Sequence, residues 1–388
     1  MKIFVSELIA QWITSVHWVI LFIIFISCHS VSVKQIGEEI YDLNINYPPK
    51  FIREIKFGNK SRLYLADPSS AMWFKIADLK GNVISTKSLK NLEHDFGVID
   101  NINFLSADRI LLQKKFSSKF AVIDTNLKII NEFDLNYKIF DRDSNSLHLI
   151  GLPDEFYSSH DPREIYLISV PDFEDMKRRY MNPYYDYYSI FHKIPHLCRI
   201  DDILKDSISY TLLLESYFNN INNKIFAISD LDRFQITDSI IYINSGYTDY
   251  IGCYDKKGAL VNKWKVASKY TKFGYPFRYV DESFTLDSEL SMDIMRQSGF
   301  IRDVFSIPNR DLFVVVVFHY DPKGSHKQRK SRDYSLIIYN SKHEKICEKK
   351  FNDGILYPPI IINGKMWMYD VKYKENGKIR YKIFDVVD

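Results

Sequence analysis

The chain has 388 residues and a net charge of +3, from 52 basic against 49 acidic side chains. That near balance excludes the strong positive field by which a protein recruits nucleic acid. Apolar residues make up 46% and charged residues 26%, enough for a substantial core, and the length suits an all-β ring built as one domain. Tyr and Phe number 27 each against 14 Gly, an aromatic excess that favours strands over helices.

The first element in chain order is apolar. Trp18 to Ile26 reads WVILFIIFI and is followed at once by Ser27-Cys28. The run is far shorter than the ~20 residues a membrane span needs and fits the apolar region of a signal peptide. A small residue directly before Cys resembles the lipobox of bacterial lipoproteins, which implies a lipid on Cys28, cleavage before it and a signal segment over 1–28. The alternative is an uncleaved anchor reaching back through Ile13, Trp12 and Ile9, although Gln11, Thr14, Ser15 and His17 interrupt it. Either way the residues from 29 onward are expected outside the cytoplasm. Residues 29–34 form a short polar linker without an acidic residue, which points to the periplasmic side of the outer membrane.

From residue 35 to 388 one pattern recurs: an alternating apolar strand, an Asp or Asn, a short polar turn and a second strand. Six copies align, at Phe74 to Asp78, Phe120 to Asp124, Leu197 to Asp201, Ile251 to Asp255, Leu336 to Asn340 and Tyr381 to Asp385. Residues two apart on a strand share a face. The row four before the marker (Phe74, Phe120, Leu197, Ile251, Leu336, Tyr381) should therefore be buried. So should the row two before it (Ile76, Val122, Arg199, Cys253, Ile338, Ile383), in which Arg199 is the misfit. The Asp or Asn opens the turn because its side chain can bond the backbone two residues on. The partner strands carry Ile84, Ile130, Val261 and Ile346 six residues past the marker, with Ile208 one place later. Upstream strands begin at Asp108, Asp238, Arg310 and Gly364, so each unit holds three or four antiparallel strands. The intervals from Asp124 to Asp201 and from Asp255 to Asn340 exceed the ~40–50 residues of a propeller blade and must carry insertions.

The copy at Asp385 lacks an outer strand, and the segment 35–43 has no sheet of its own. Pairing the two closes a ring and removes exposed edges. The expected fold is therefore all-β, a six-bladed β-propeller closed by an N-terminal strand, with loop and helix insertions. The lipobox and the blade pattern together resemble the six-bladed β-propeller lipoproteins of Bacteroides-like bacteria. Many of these are known only as a domain of unknown function, and they are similar to NHL-type propellers. The resemblance implies a fold and a cell-envelope location and brings no activity with it.

Three insertions are candidate sites. The segment 172–193 sets Tyr180, Tyr184, Tyr185, Tyr187 and Tyr188 beside Lys177, Arg178 and Arg179. Tyrosine offers a flat apolar face and a polar tip, suited to a sugar or a protein partner, though such rings also cover sheet edges. The segment 270–300 holds an expected helix over 286–295 with Leu286, Leu290 and Ile294 on one stripe. The segment 321–332 gathers Lys323, Lys327, Arg329, Lys330 and Arg332 around His326, either an anion site or a solvated hairpin tip.

Nothing points to catalysis. His192 and His196 stand at a metal-ligand spacing, but Pro195 between them breaks the helix that spacing requires. No GxSxG, P-loop or GxGxxG is present. With Cys28 lipidated, Cys198, Cys253 and Cys347 remain, without CxxC spacing, and read as buried inert thiols. The expectation is a monomeric envelope lipoprotein with no cofactor and no metal, held to the membrane at Cys28. It acts as a binding or scaffolding module for a glycan, peptide or protein partner through Arg178, Arg179, Tyr180, Tyr184, Tyr185, Tyr187 and Tyr188. The rivals are a propeller-type lyase or hydrolase working at the central channel and a purely structural envelope component. Clustered carboxylates or histidines at the channel mouth would mark the enzyme, and an aromatic and basic rim without them would mark the binder.

Overall fold

The computed structural model describes residues 32–42, 49, 51–57, 60–67, 72–114, 119–134, 137–140, 146–158, 164–171, 197–202, 210–213, 224–225, 233–237, 239–244, 249–273, 278–279, 299–307, 310–319, 333–352, 359–370, 372–373 and 375–387. Antiparallel sheets dominate them. The first blade runs Phe51–Phe57, Lys60–Asp67, Trp73–Ala77 and Val83–Ser88. The second runs Ile99–Phe104, Ile110–Lys114, Lys119–Ile123 and Ile129–Asp134. The third is Arg233–Ile236, Ile240–Asn244, Tyr250–Asp255 and Leu260–Lys265. The fourth is Phe300–Ile307, Leu312–Phe318, Tyr334–Asn340 and Lys345–Phe351. The closing blade takes Ile360–Ile362, Lys365–Tyr369 and Lys378–Val387 from one end of the described chain and Ser32–Asp42 from the other.

The expected closure is present. Ser32–Asp42 lies antiparallel to Lys378–Val387, with Ser32 opposite Val387 and Asp42 opposite Lys378. The expected count of six blades is corrected: among the described residues the structure shows five four-stranded blades. The copy marked by Asp201 is a five-stranded sheet of Tyr137–Phe140, Ser146–Ser158, Ile165–Pro171, Leu197–Ile200 and Tyr210–Leu213. Its second strand has 13 residues and breaks register between Gly151 and Phe156. The added strand, Tyr137–Phe140, satisfies its backbone N–H and C=O groups by pairing with Ser146–Ser158. A two-stranded ribbon, Lys224–Ile225 with Arg278–Tyr279, lies outside the blades.

The marker residues act through one repeated turn. Asp78 Oδ1 accepts from the backbone N–H groups of Lys80 and Asn82, both at 2.9 Å. Asp124 does the same with Asn126 and Lys128, at 2.8 and 2.9 Å. Asp255 takes Lys257 and Ala259, at 2.8 and 2.9 Å, and Asn340 takes Lys342 and Glu344, both at 2.9 Å. The third residue past each marker (Gly81, Leu127, Gly258, His343) has positive φ. Two markers behave otherwise. Asp201 is held by Arg199 Nε at 2.7 Å. Asp385 opens no turn, because the strand continues through it to pair with the N-terminal strand, Lys34 standing opposite.

Both marked rows are buried as their spacing requires, from Phe74 and Phe120 to Tyr381, and only Arg199 stands apart, half-buried. The partner-strand residues Ile84, Ile130 and Val261 are exposed, which places these strands at the outer rim of the blades. A helix that the repeat pattern does not announce, Lys90–Phe96, links the first two blades and buries Leu92 and Phe96 in the core between them.

Candidate functional site: a cleft at the turn end of the ring

The first strand of blade one shows how the cleft is positioned. Side chains alternate along a strand, so Phe51–Phe57 presents two faces. Arg53 and Ile55 look to blade two. Ile55 joins the shared core, and Arg53 Nη1 donates to Asn103 Oδ1 at 3.2 Å and to the Phe104 carbonyl at 2.5 Å. Burial holds the Arg53 guanidinium below its ordinary pKa. The even positions look to the closing blade. Ile52 packs on the core it shares with Trp367 and Ile383, and Glu54 and Lys56 continue that face toward the turns.

Opposite them lies the hairpin between Ile360–Ile362 and Lys365–Tyr369. Its turn residues Asn363 and Gly364 have φ of 50° and 71°, the doubly left-handed geometry that Asn-Gly supports. Glu54 Oε2 accepts from the Asn363 N–H at 2.6 Å, which ties blade one to this turn. From the fourth blade, Arg310 Nη1 donates to Asp385 Oδ1 at 2.5 Å. Asp385 has no turn of its own to stabilise, so its carboxylate is free to hold Arg310.

These groups from three successive blades line a cleft of about 340 Å³, formed by Glu54, Lys56, Arg310, Ile361, Asn363, Gly364, Lys365 and Asp385. Three cations face two carboxylates. Asp385 is occupied by Arg310, and one oxygen of Glu54 by Asn363. The other, Glu54 Oε1, is buried with no hydrogen-bond partner among the described residues. Lys56 and Lys365 form no hydrogen bond or ion pair with any described residue. The cleft therefore holds a surplus of uncommitted donors and can accept an anion at its lysines.

At the opposite end of the fourth blade, His319 Nε2 and Ser335 Oγ are 2.7 Å apart. Ser335 is fully buried, and Tyr270 stacks on His319 with ring centroids 5.8 Å apart. Burial, then the charge of Lys350, hold the His319 pKa below its ordinary value. Ser335 is thus enclosed within the hairpin. Among the described residues no group of three or more His, Cys, Asp or Glu could hold a metal ion. Cys198 and Cys253 are buried free thiols and Cys347 is half-buried; burial pushes the Cys253 thiol up to about 11.

The residues expected from sequence to carry binding (Arg178, Arg179, Tyr180, Tyr184, Tyr185, Tyr187 and Tyr188) lie outside the described residues, as do Cys28, His192, His196 and the segments 286–295 and 321–332. The cleft was missed in the sequence. Arg310, Gly364 and Asp385 are visible there as turn cues, but nothing local says that they meet Glu54.

Radial antiparallel blades closed by a strand from the far end of the chain define a β-propeller. No family model matches the chain, and no curated protein does. Among solved structures, the chain is similar to a member of the DUF4221 family from Bacteroides vulgatus, with a TM-score of 0.68 and 13% identity over 92% of this chain and 99% of that one. It is also similar to a protein assigned as exported from Bacteroides fragilis NCTC 9343, with a TM-score of 0.51 and 8% identity over 93% and 97% of the two chains. At these identities the likeness is one of fold. No helix among the described residues is long and apolar enough to cross a membrane.

Proposed function

We propose that this chain is a periplasm-facing outer-membrane lipoprotein, anchored through Cys28, whose propeller is a binding module for an acidic ligand. The observation that carries the binding reading is the cleft between three blades, where Lys56 and Lys365 stand without partners among the described residues. The apolar run before Ser27-Cys28 supports export and lipidation, and a similar fold occurs in a protein assigned as exported. The Tyr-rich segment 172–193 is proposed as a second contact for a glycan, peptide or protein partner.

The test is a panel of acidic and neutral saccharides, amino acids and short peptides, read by thermal denaturation. Acidic members are expected to stabilise the protein, by about 2.7 kcal/mol at a hundredfold excess over Kd. The double variant Lys56→Met, Lys365→Met should lose that response while its own stability stays within about 0.5 kcal/mol, as for surface changes generally. A panel without any stabilising member, or a double variant that still responds, overturns the reading. For the anchor, Cys28→Ser should abolish incorporation of labelled fatty acid, and continued labelling would refute lipidation there.

A further inference from the structure

The cleft offers more than a positive charge. Within it, Glu54 contributes a carboxylate whose Oε2 is bonded to Asn363 and whose Oε1 is buried without a hydrogen-bond partner among the described residues. The field of a carboxylate oxygen buried without a donor is little screened by water. Asp385 adds a second negative group, although Arg310 neutralises it. The cationic side is Lys56 and Lys365, two compact ammonium groups rather than the planar guanidinium fork that grips a phosphate through paired bonds. The one guanidinium among the described lining residues, Arg310, is committed to Asp385.

We propose, on the reading that this cleft binds a ligand, that it selects a carboxylate monoanion and rejects phosphate dianions. One negative charge can be shared by the two lysines. A second charge would sit in the field of Glu54 with no further uncommitted cation among the described lining residues to offset it, and like charge is a device by which a site excludes a competitor. Glu54 is thus a specificity-determining residue, acting by repulsion on ligands that it does not bond. The asparagine amide of Asn363 and the apolar Ile361 complete a lining suited to a carboxylate carried on a small polar body.

The carboxylate can come from two sources, an acidic sugar or the C-terminus of a peptide, and the probes separate them. Galacturonate, the peptide Ala-Ala, its C-terminal amide and glucose 6-phosphate are titrated calorimetrically into the protein and into Glu54→Gln and Lys56→Met, Lys365→Met. At least one carboxylate is expected to bind tenfold or more tighter than glucose 6-phosphate at pH 8, and the amide not at all. Glu54→Gln keeps an acceptor for the Asn363 N–H, so the hairpin stays tied. It should narrow the carboxylate-to-phosphate ratio at least fivefold. Carboxylate binding with an unchanged ratio in Glu54→Gln, or phosphate binding as tightly as carboxylate in the wild type, overturns the selectivity and leaves the cleft as a site. Loss of all binding in the lysine variant confirms the site independently. If no probe binds the wild type, site and selectivity fall together.

Discussion

Gly81 shows how much one residue of the repeated turn can carry. It stands at φ 86°, and a Cβ there would meet the Tyr41 ring at 2.6 Å and the Ile40 carbonyl at 3.2 Å. Backbone strain and steric conflict thus act at one position, and Gly81→Ala is expected to cost about 1–3 kcal/mol in urea denaturation. A cost below a few tenths would show that the turn relaxes freely. Glu348 gives a pH dependence. Burial pushes its carboxyl up, but bonds from Lys345 Nζ and Ser268 Oγ, each at 2.6 Å, and from Lys269 N at 2.8 Å hold it below the ordinary range. A carboxyl depressed in the folded state contributes stability that is complete above its unfolded value, about 4.3, and is lost as pH falls through the folded value. Between pH 7 and pH 3 the wild type should therefore lose more stability than Glu348→Gln. Parallel curves would remove Glu348 from the account. The marker Asp and Asn residues were legible because an Asx turn is local in sequence. Glu54 was not, since its partner Asn363 stands on another blade, and Glu348 only in part, since Lys345 is three residues away but Ser268 and Lys269 are distant in sequence.

At the scale of the element, neighbouring blades are joined at the rim by the same pairing. The outer strand of one blade reaches the marker turn of the next. Lys87 Nζ donates to Asn126 Oδ1 at 3.1 Å, Trp264 lies against His343 with centroids 3.7 Å apart, and Tyr41 donates to the Leu79 carbonyl at 3.2 Å. Tyr41 is almost wholly buried, beside Trp367 and Tyr381. Tyr41→Ala should cost about 3–5 kcal/mol, the range for deleting a large buried ring. A loss under about 1 kcal/mol would mean that the N-terminal strand is held by its backbone ladder alone. Strand existence could be read from the period-two rows. The exposure of Ile84, Ile130 and Val261 could not, because an outer strand presents apolar residues to solvent that a pattern alone reads as core.

For the whole molecule, closure of the ring was legible and the number of blades was not. Closure follows from an unpartnered strand at each end, a deficit that the sequence states openly. The count assumed that every marker heads the same unit, and the segment from Asp124 to Asp201 houses an additional strand instead. Removing residues 32–42 should leave Lys378–Val387 as an open edge and shift the protein to aggregates on size exclusion. A monomer with an unchanged elution volume would count against the closure. The pairing of Ser32 with Val387 also has a consequence in time. The two stand 355 residues apart, so the first strand of the ring waits unmatched until the strand that closes it has been made. Contacts so distant in sequence slow the folding of a ring relative to a fold built from local pairings.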